Sequence, residues 1–341
     1  MFVIVVKNAL TKHIPPYYHP ENPLRMSILL QTIEKLSISA DFWVNKFDEE
    51  EAIEIASRVH AKGYVDDILG HCKKGFYELD SDTYITSNTC ELALETLYYS
   101  YELANTANNI FVVLSRPPGH HAGLVGRAMG ASTNGFCIFN NAVASVLGFR
   151  DRNLKRIAVI DFDAHHGNGT MEIFYKEKIL HIDIHQDPST LYPFTGYPTD
   201  IGEGDGYGYK ANFILRPRST DESLTHIIPL VETLINVYTP EALVVSAGFD
   251  GYRDDGLANL ALTSSSFHIL GSAIKRFRVP TVIVLEGGYS TGLEHGFKAF
   301  LEGLQGIEKN YTIYTDSLEI LHTNLGIAKK VYDVVLSHIN S

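Results

Sequence analysis

The chain has only three cysteines, Cys72, Cys90 and Cys137, an odd number with no CxxC spacing among them. That pattern argues against a disulfide framework or a cysteine-held structural zinc, and makes a reducing compartment the expected setting. Basic residues are in the minority: 28 Lys and Arg against 40 Asp and Glu leave a formal charge of −12. A surface of that sign works against binding nucleic acid or anionic membrane and suits small cationic ligands. No run approaches the roughly 20 apolar residues of a membrane span. The opening run, Phe2–Val6, ends at Lys7 and is too short for the core of a signal peptide. Linkers rich in Ser, Pro or charge are missing, as are repeats of fixed period. With 45% hydrophobic residues over 341 positions, we expect a soluble, cytoplasmic protein folded as one large domain over 1–341.

Short β-branched apolar runs punctuate the sequence at Ile110–Leu114, Ile157–Ile160, Ile179–Ile184, Ala242–Val245 and Thr281–Leu285. Continuous runs without alternation suit strands buried on both faces, as in a parallel sheet. Helical patterns lie between or around them at Cys90–Leu103, Phe139–Leu147, Asp221–Val237, Ser265–Phe277 and Ser317–Ser337. Strands alternating with helices predict an α/β fold with three αβα layers and a mostly parallel central sheet. The C-terminal helix, about 317–338, either caps the domain or makes a dimer contact.

The residues just past each strand carry the chemistry. They read Ser115-Arg-Pro-Pro-Gly-His-His121, Asp161-Phe-Asp-Ala-His-His166, His185-Gln-Asp187, Ser246-Ala-Gly-Phe-Asp250 and Glu286-Gly-Gly-Tyr289. Ligands bind outside the carboxyl ends of the strands in open α/β sheets, so these loops are expected to converge on one site.

Asp161, Asp163 and His165 stand at alternate positions, and residues two apart on an extended chain point the same way. Asp163 and His165 can thus offer an oxygen and a nitrogen to one cation, and Asp250, from another strand end, is the natural third ligand. Three protein ligands plus water is the open arrangement of a catalytic zinc. Alone, Asp-x-Asp-x-His would as readily be a solvated loop, and Asp161 is free to turn inward. The stiff Arg116-Pro-Pro-Gly segment aims His120 and His121, one able to take a proton from water and one to protonate a leaving amine. Tyr289 can donate its hydroxyl to a developing oxyanion. Gly202-Glu-Gly-Asp-Gly-Tyr-Gly208 lacks the Gly-Lys-Ser/Thr of a phosphate loop, and the tyrosines at 98, 99 and 101 read as helix packing.

Taken together, Arg116–His121, Gly135-Phe-Cys-Ile-Phe-Asn-Asn141, Asp161–Thr170, Gly248-Phe-Asp250 and Glu286–Tyr289 resemble the zinc-dependent histone deacetylase and acetylpolyamine amidohydrolase superfamily, with its arginase-type fold. His19–Arg25 and Val59–Tyr64 are also similar to family segments. The resemblance implies that Asp163, His165 and Asp250 bind one zinc ion. It implies that His120 and His121 are the tandem catalytic histidines, tuned by Asp161 and Asn168, with His121 the general base and acid. Tyr289 would polarise the acetyl carbonyl. Phe136 and Tyr192 would wall a narrow substrate tunnel, with Gly135 and Gly287 as backbone features at its mouth and floor. A structural potassium ion near the zinc loop is implied as well, held partly by carbonyls of Asp161, Asp163 and His165, with Asp183 able to join.

One position departs from the pattern: Asn168 stands where eukaryotic members commonly have Asp, as in many prokaryotic relatives. A neutral partner raises its histidine's pKa less than a carboxylate does. The implied reaction is hydrolysis of an acetyl amide, on acetyl-lysine in proteins or on an acetylpolyamine. The stretch between Tyr64 and Cys90 is too short for the long insertion of the best-known acetylpolyamine enzymes, while the acidic balance suits a polycation. Asp82 is a candidate at the rim for holding a substrate backbone amide. The rivals are a ureohydrolase with two manganese ions, which would want Asp-x-Asp after Gly248-Phe, and an inactive acetyl-lysine binder. A homo-oligomer is open; nucleic acid and membrane partners are not expected.

Overall fold

Ile157–Asp161 is buried along its whole length, as its unbroken apolar run requires, and is flanked on both sides by parallel strands. The computed structural model describes residues 2–5, 12–36, 40–41, 47–106 and 108–340. In chain order the strands are β1 (Phe2–Val5), β2 (Ala40–Asp41), β3 (Tyr77–Glu78), β4 (Tyr84–Ile85), β5 (Ile110–Val113), β6 (Ala122–Gly123), β7 (Gly126–Arg127), β8 (Ile157–Asp161), β9 (Leu180–Gln186), β10 (Lys210–Leu215), β11 (Ala242–Ala247) and β12 (Thr281–Leu285). Eight of them form one parallel sheet in the order β10-β9-β8-β11-β12-β5-β1-β2. The short pairs β3–β4 and β6–β7 are antiparallel hairpins.

The helices are α1 (Leu24–Lys35), α2 (Glu49–Val59), α3 (Lys62–Lys74), α4 (Thr89–Thr106), α5 (Asn141–Asp151), α6 (Asn168–Phe174), α7 (Asp221–Tyr238), α8 (Ser264–Phe277), α9 (Phe297–Gln305) and α10 (Leu318–Ile339). Alternate strand residues sort them into two layers. Ile157 and Val159 join Val113, Val244 and Val282 in a core covered by α2–α5. Ala158 and Ile160 face the other way, with Ile182, Phe213, Val245 and Ile283, under α1 and α7–α10. Burial on both faces explains why the strands read as solid apolar runs.

The expected αβα layering is what forms. Three sheet strands are not among the sequence-predicted runs: β1, the two-residue β2 and β10. Phe2–Val5, four residues of the short opening run, pairs with Ile110–Val113 as a sheet strand. Lys210–Leu215 carries Lys210 and Asn212, which disguise a buried strand: Lys210 Nζ donates to the carbonyls of Glu177 and Ile179, and Asn212 to those of Tyr197 and Asp200. The tyrosines of α4 are buried packing residues, as expected. The C-terminal helix caps the domain. It buries Asn324, Ala328, Val331 and Val335 against β10 and α7, and Asn324 bonds Ser219, Ser223 and the Arg216 N–H.

The cysteine expectation is corrected. Cys72, in the last turn of α3, and Cys90, in the first turn of α4, form a disulfide across 18 residues, with Cα atoms 6.1 Å apart. The β3–β4 hairpin reverses the chain between the two helices and brings these turns together, which residue spacing alone does not reveal. Cys137 is free and buried.

Candidate active site

The carboxyl ends of β8, β11 and β12, and the loop after β5, meet at one place. Beyond β8 the chain bends at Asp163, Ala164 and His165 before α6, and Asp161 parts there from Asp163 and His165. Asp161 turns inward: Oδ1 accepts the Asp163 N–H at 3.0 Å and Oδ2 lies 2.9 Å from His120 Nδ1. Asp163 and His165 face Asp250, which follows β11. His165 Nδ1 is 3.1 Å from Asp163 Oδ1 and 2.7 Å from Asp250 Oδ2. These three residues form a cluster with the spacing of cation ligands. Backbone fixes the other oxygens: Gly287 N–H donates to Asp163 Oδ2 at 2.7 Å, and Ala164 N–H to Asp250 Oδ1 at 2.9 Å. Gly287 has to lack a side chain, because a Cβ there would stand 2.5 Å from Asp163 Oδ2 and 2.8 Å from Asp250 Oδ2.

The tandem histidines sit in opposite electrostatic environments. Burial disfavours a charge on His120, yet Asp161, Asp163 and Glu286 outweigh it and hold its pKa well above the ordinary value. His121 is pushed well below by burial, then by the neighbouring His120 and His165. The tautomer of His121 follows from its partner. Asn168 donates its amide to Ala128 O at 2.9 Å, so its Oδ1, 2.7 Å from His121 Nδ1, accepts an N–H from that nitrogen. Nε2 of His121 is left with a free lone pair. Burial opposes a charge on His165 too, but Asp250 and Asp163 raise it to about 10; burial, then Asp163, raises Asp250 to about 6.

Tyr289 lies with its ring under the Arg25 guanidinium, 4.9 Å away, and edge-on to Phe136 at 5.9 Å. Burial, the largest influence, lifts its pKa well above the usual phenol value, so the hydroxyl keeps its proton. Gly135 and Phe136 have left-handed φ of 54° and 70°. A Cβ on Gly135 would come within 2.4 Å of His121 and 2.9 Å of Tyr192. The partly exposed Tyr192 packs edge-on to His121 at 5.0 Å and donates its hydroxyl to Thr133 O. Asp82 is half-buried beside them, accepting from the Thr83 and Thr133 hydroxyls. All the sequence-nominated residues therefore gather in one region.

Several contributors had no role assigned from sequence. Glu286 Oε2 accepts the Gly119 and His120 N–H groups, pinning the histidine loop. Arg25 donates to the Glu286 and Gly288 carbonyls. Its sequence signals are its place at the end of the His19–Arg25 segment and an arginine on the buried face of α1, beside Met26 and Leu29. A second buried cluster joins Asp161, His181 and Asp183; both ring nitrogens of His181 and Asp183 Oδ1 lack hydrogen bonds. Gly288-Tyr-Ser-Thr-Gly292 has the Gly-x-Ser-x-Gly spacing of a serine-hydrolase elbow. Ser290 does not adopt a left-handed φ, and its hydroxyl is spent on the Asp255 carbonyl.

Comparison with known proteins agrees with this geometry. Residues 19–304 match the family model of the histone deacetylase domain. Acetylpolyamine amidohydrolase 2 of Pseudomonas aeruginosa is 37% identical over 69% of this chain and 68% of its own length. A probable deacetylase of Methanothermobacter thermautotrophicus is 35% identical over 85% of this chain and 87% of its own. The crystal structure of the HDA15 HD domain shares the fold, with a TM-score of 0.84 at 24% identity, covering 99% of this chain and 94% of that one.

Proposed function

The chain belongs to the histone deacetylase family, and from that premise we propose a zinc-dependent amidohydrolase that converts an acetylated amine to acetate and the free amine. The observation that carries the reading is two adjacent imidazoles, His121 bonded to the neutral Asn168 and His120 to the Asp161 carboxylate, beside the Asp163, His165 and Asp250 cluster. Environments that push the pKa values of neighbouring groups apart assign acid and base roles.

The donor set fits zinc. Two oxygens and one imidazole nitrogen converge, and Asp250 Oδ2 is buried without a hydrogen bond. Asp163, His165 and Asp250 would hold the ion. When bound, it supplies Lewis acidity to the acetyl oxygen and lowers the pKa of water.

His121 accepts the water's proton at Nε2 and returns it to the departing amine. Its Nδ1–H stays on Asn168, so the ring does not rotate as it charges. His120, protonated and held by Asp161, adds positive charge where the oxyanion grows. Tyr289 donates its hydroxyl to that oxygen, a bond worth most in the transition state. Phe136 and Tyr192 wall the substrate's methylene chain, and Asp82 stands at the rim. The same reading puts a potassium ion near Asp161 and Asp183, where Asp183 Oδ1 is buried without a hydrogen bond. The binuclear ureohydrolase is disfavoured because Tyr252 occupies the position for a second carboxylate and stacks on Phe267 instead.

The test is a substrate panel on zinc-loaded protein: acetylputrescine, acetylspermidine, acetyl-lysine peptides and short aromatic amides. Acetate release from at least one alkyl amide is expected. A folded protein with one zinc that binds these ligands and releases no acetate would instead be an acetyl-lysine or acetylpolyamine binder.

A further inference from the structure

In the loop after β12 two glycines follow Glu286, and Gly288 sits at φ 112°, so chain stiffness does not place Tyr289. Arg25 holds the Gly288 carbonyl and covers the ring, and one carboxylate holds the backbone of Tyr289 itself. Asp255, 5% exposed, accepts the Tyr289 N–H on Oδ2 at 2.8 Å. Its Oδ1 accepts the Ser290 and Gly292 N–H groups, both at 2.8 Å. The Ser290 hydroxyl closes the link on the Asp255 carbonyl at 3.0 Å.

Asp255 comes from the same loop as Asp250. Backbone bonds run between them, from Tyr252 N–H to Phe249 O and from Asp255 N–H to Tyr252 O. The two loops touch again where Phe249 N–H donates to Gly287 O. Gly292 lies so close to Phe249 that a Cβ there would overlap its carbonyl oxygen. One rigid unit thus carries the carboxylate of Asp250 at one end and, through Asp255, the backbone of Tyr289 at the other.

We propose that Asp255 is a positioning residue for the hydrolysis: its carboxylate fixes the Tyr289 phenol relative to Asp250. The inference rests on the role of Tyr289 proposed above. A misplacement of about 1 Å in a catalytic group can cost about 100-fold in rate. The loss should appear in kcat, because the bond that Tyr289 donates is worth most in the transition state.

The experiment is a double-mutant cycle of Asp255→Asn with Tyr289→Phe, read as kcat and KM with zinc content and melting temperature alongside. In the native background we expect kcat to fall about 10–100-fold with KM within about twofold and zinc retained. In the Tyr289→Phe background Asp255→Asn should cost less than about threefold. An equal loss in both backgrounds overturns the proposal, since Asp255 would then serve only to cap the helix start. Asp255→Glu keeps the charge and moves the carboxylate by one methylene; it repeats the cycle if the Asn variant melts too low. Independently of activity, the 19F resonance of 3-fluorotyrosine at 289, assigned through Tyr289→Phe, should shift in the Asp255 variant. Native protein inactive on every acetyl amide would overturn the role of Tyr289 itself. An unmoved resonance would overturn the coupling.

Discussion

Asn168 Oδ1 receives the Nδ1–H of His121 at 2.7 Å, a neutral acceptor for the imidazole that has to cycle between neutral and charged. Burial already presses that histidine well below its ordinary pKa, and nothing anionic at Nδ1 offsets it. Asn168→Asp adds the missing charge and favours the imidazolium. The acid limb of the kcat/KM profile should move to higher pH, by on the order of one unit. A profile unchanged in position would show that His121 is not the base.

Asp250→Ala removes the carboxylate that pairs with His165 at 2.7 Å and is proposed to hold zinc. Zinc content should fall from about one per chain to a small fraction, and activity with it. Exhaustive chelation of the native protein should do the same, with zinc restoring turnover. Full activity after chelation, measured with the residual metal, would dismiss the metal mechanism. His121→Ala should retain zinc yet lose about two to four orders of magnitude in turnover.

The bridge from Cys72 to Cys90 encloses the hairpin that carries Asp80, Asp82 and Thr83, and Thr83 Oγ1 accepts the Phe136 N–H at 3.0 Å. Closing an 18-residue separation stabilises the fold by about 3 kcal/mol through the entropy of the unfolded chain. Cys72→Ser should lower the melting temperature by roughly 4 °C. A thiol assay on the denatured, unreduced native protein should find Cys137 alone; three thiols would show the bridge unformed.

Acid should unfold the protein partly through His60, which burial pushes down to about 4. Its Nδ1–H donates to Gly123 O and its Nε2 accepts the Asn140 N–H, so the folded ring is neutral. The unfolded state takes up a proton below about 6.5 while the folded state does so only near 4. Stability is therefore fully present above the unfolded value and is lost as pH falls between the two, by roughly 3 kcal/mol. His60→Gln, which can keep both bonds, should show a shallower loss in denaturant titrations across that range. Identical slopes would remove His60 from the account.

The αβα class, most of the central strands and the gathering of the strand-end motifs were all legible in the linear order of residues. The reason is that burial on both faces demands unbroken apolar runs, and the chemistry sits where those runs end. The alternation of Asp161, Asp163 and His165 likewise brought Asp163 and His165 together, while the inward turn of Asp161 onto His120 was left for the fold to decide. What only the folded chain decided were contacts between distant segments. The Cys72–Cys90 bridge depended on a hairpin reversing α3 into α4. The roles of Arg25 and Glu286 depended on carbonyls and N–H groups of loops far away in sequence. Asp255 reads as one more acidic loop residue until β11 and β12, adjacent in the sheet, bring its oxygens to the amides of Tyr289, Ser290 and Gly292. Local periodicity records which way a side chain points; it holds no record of which remote backbone will meet it.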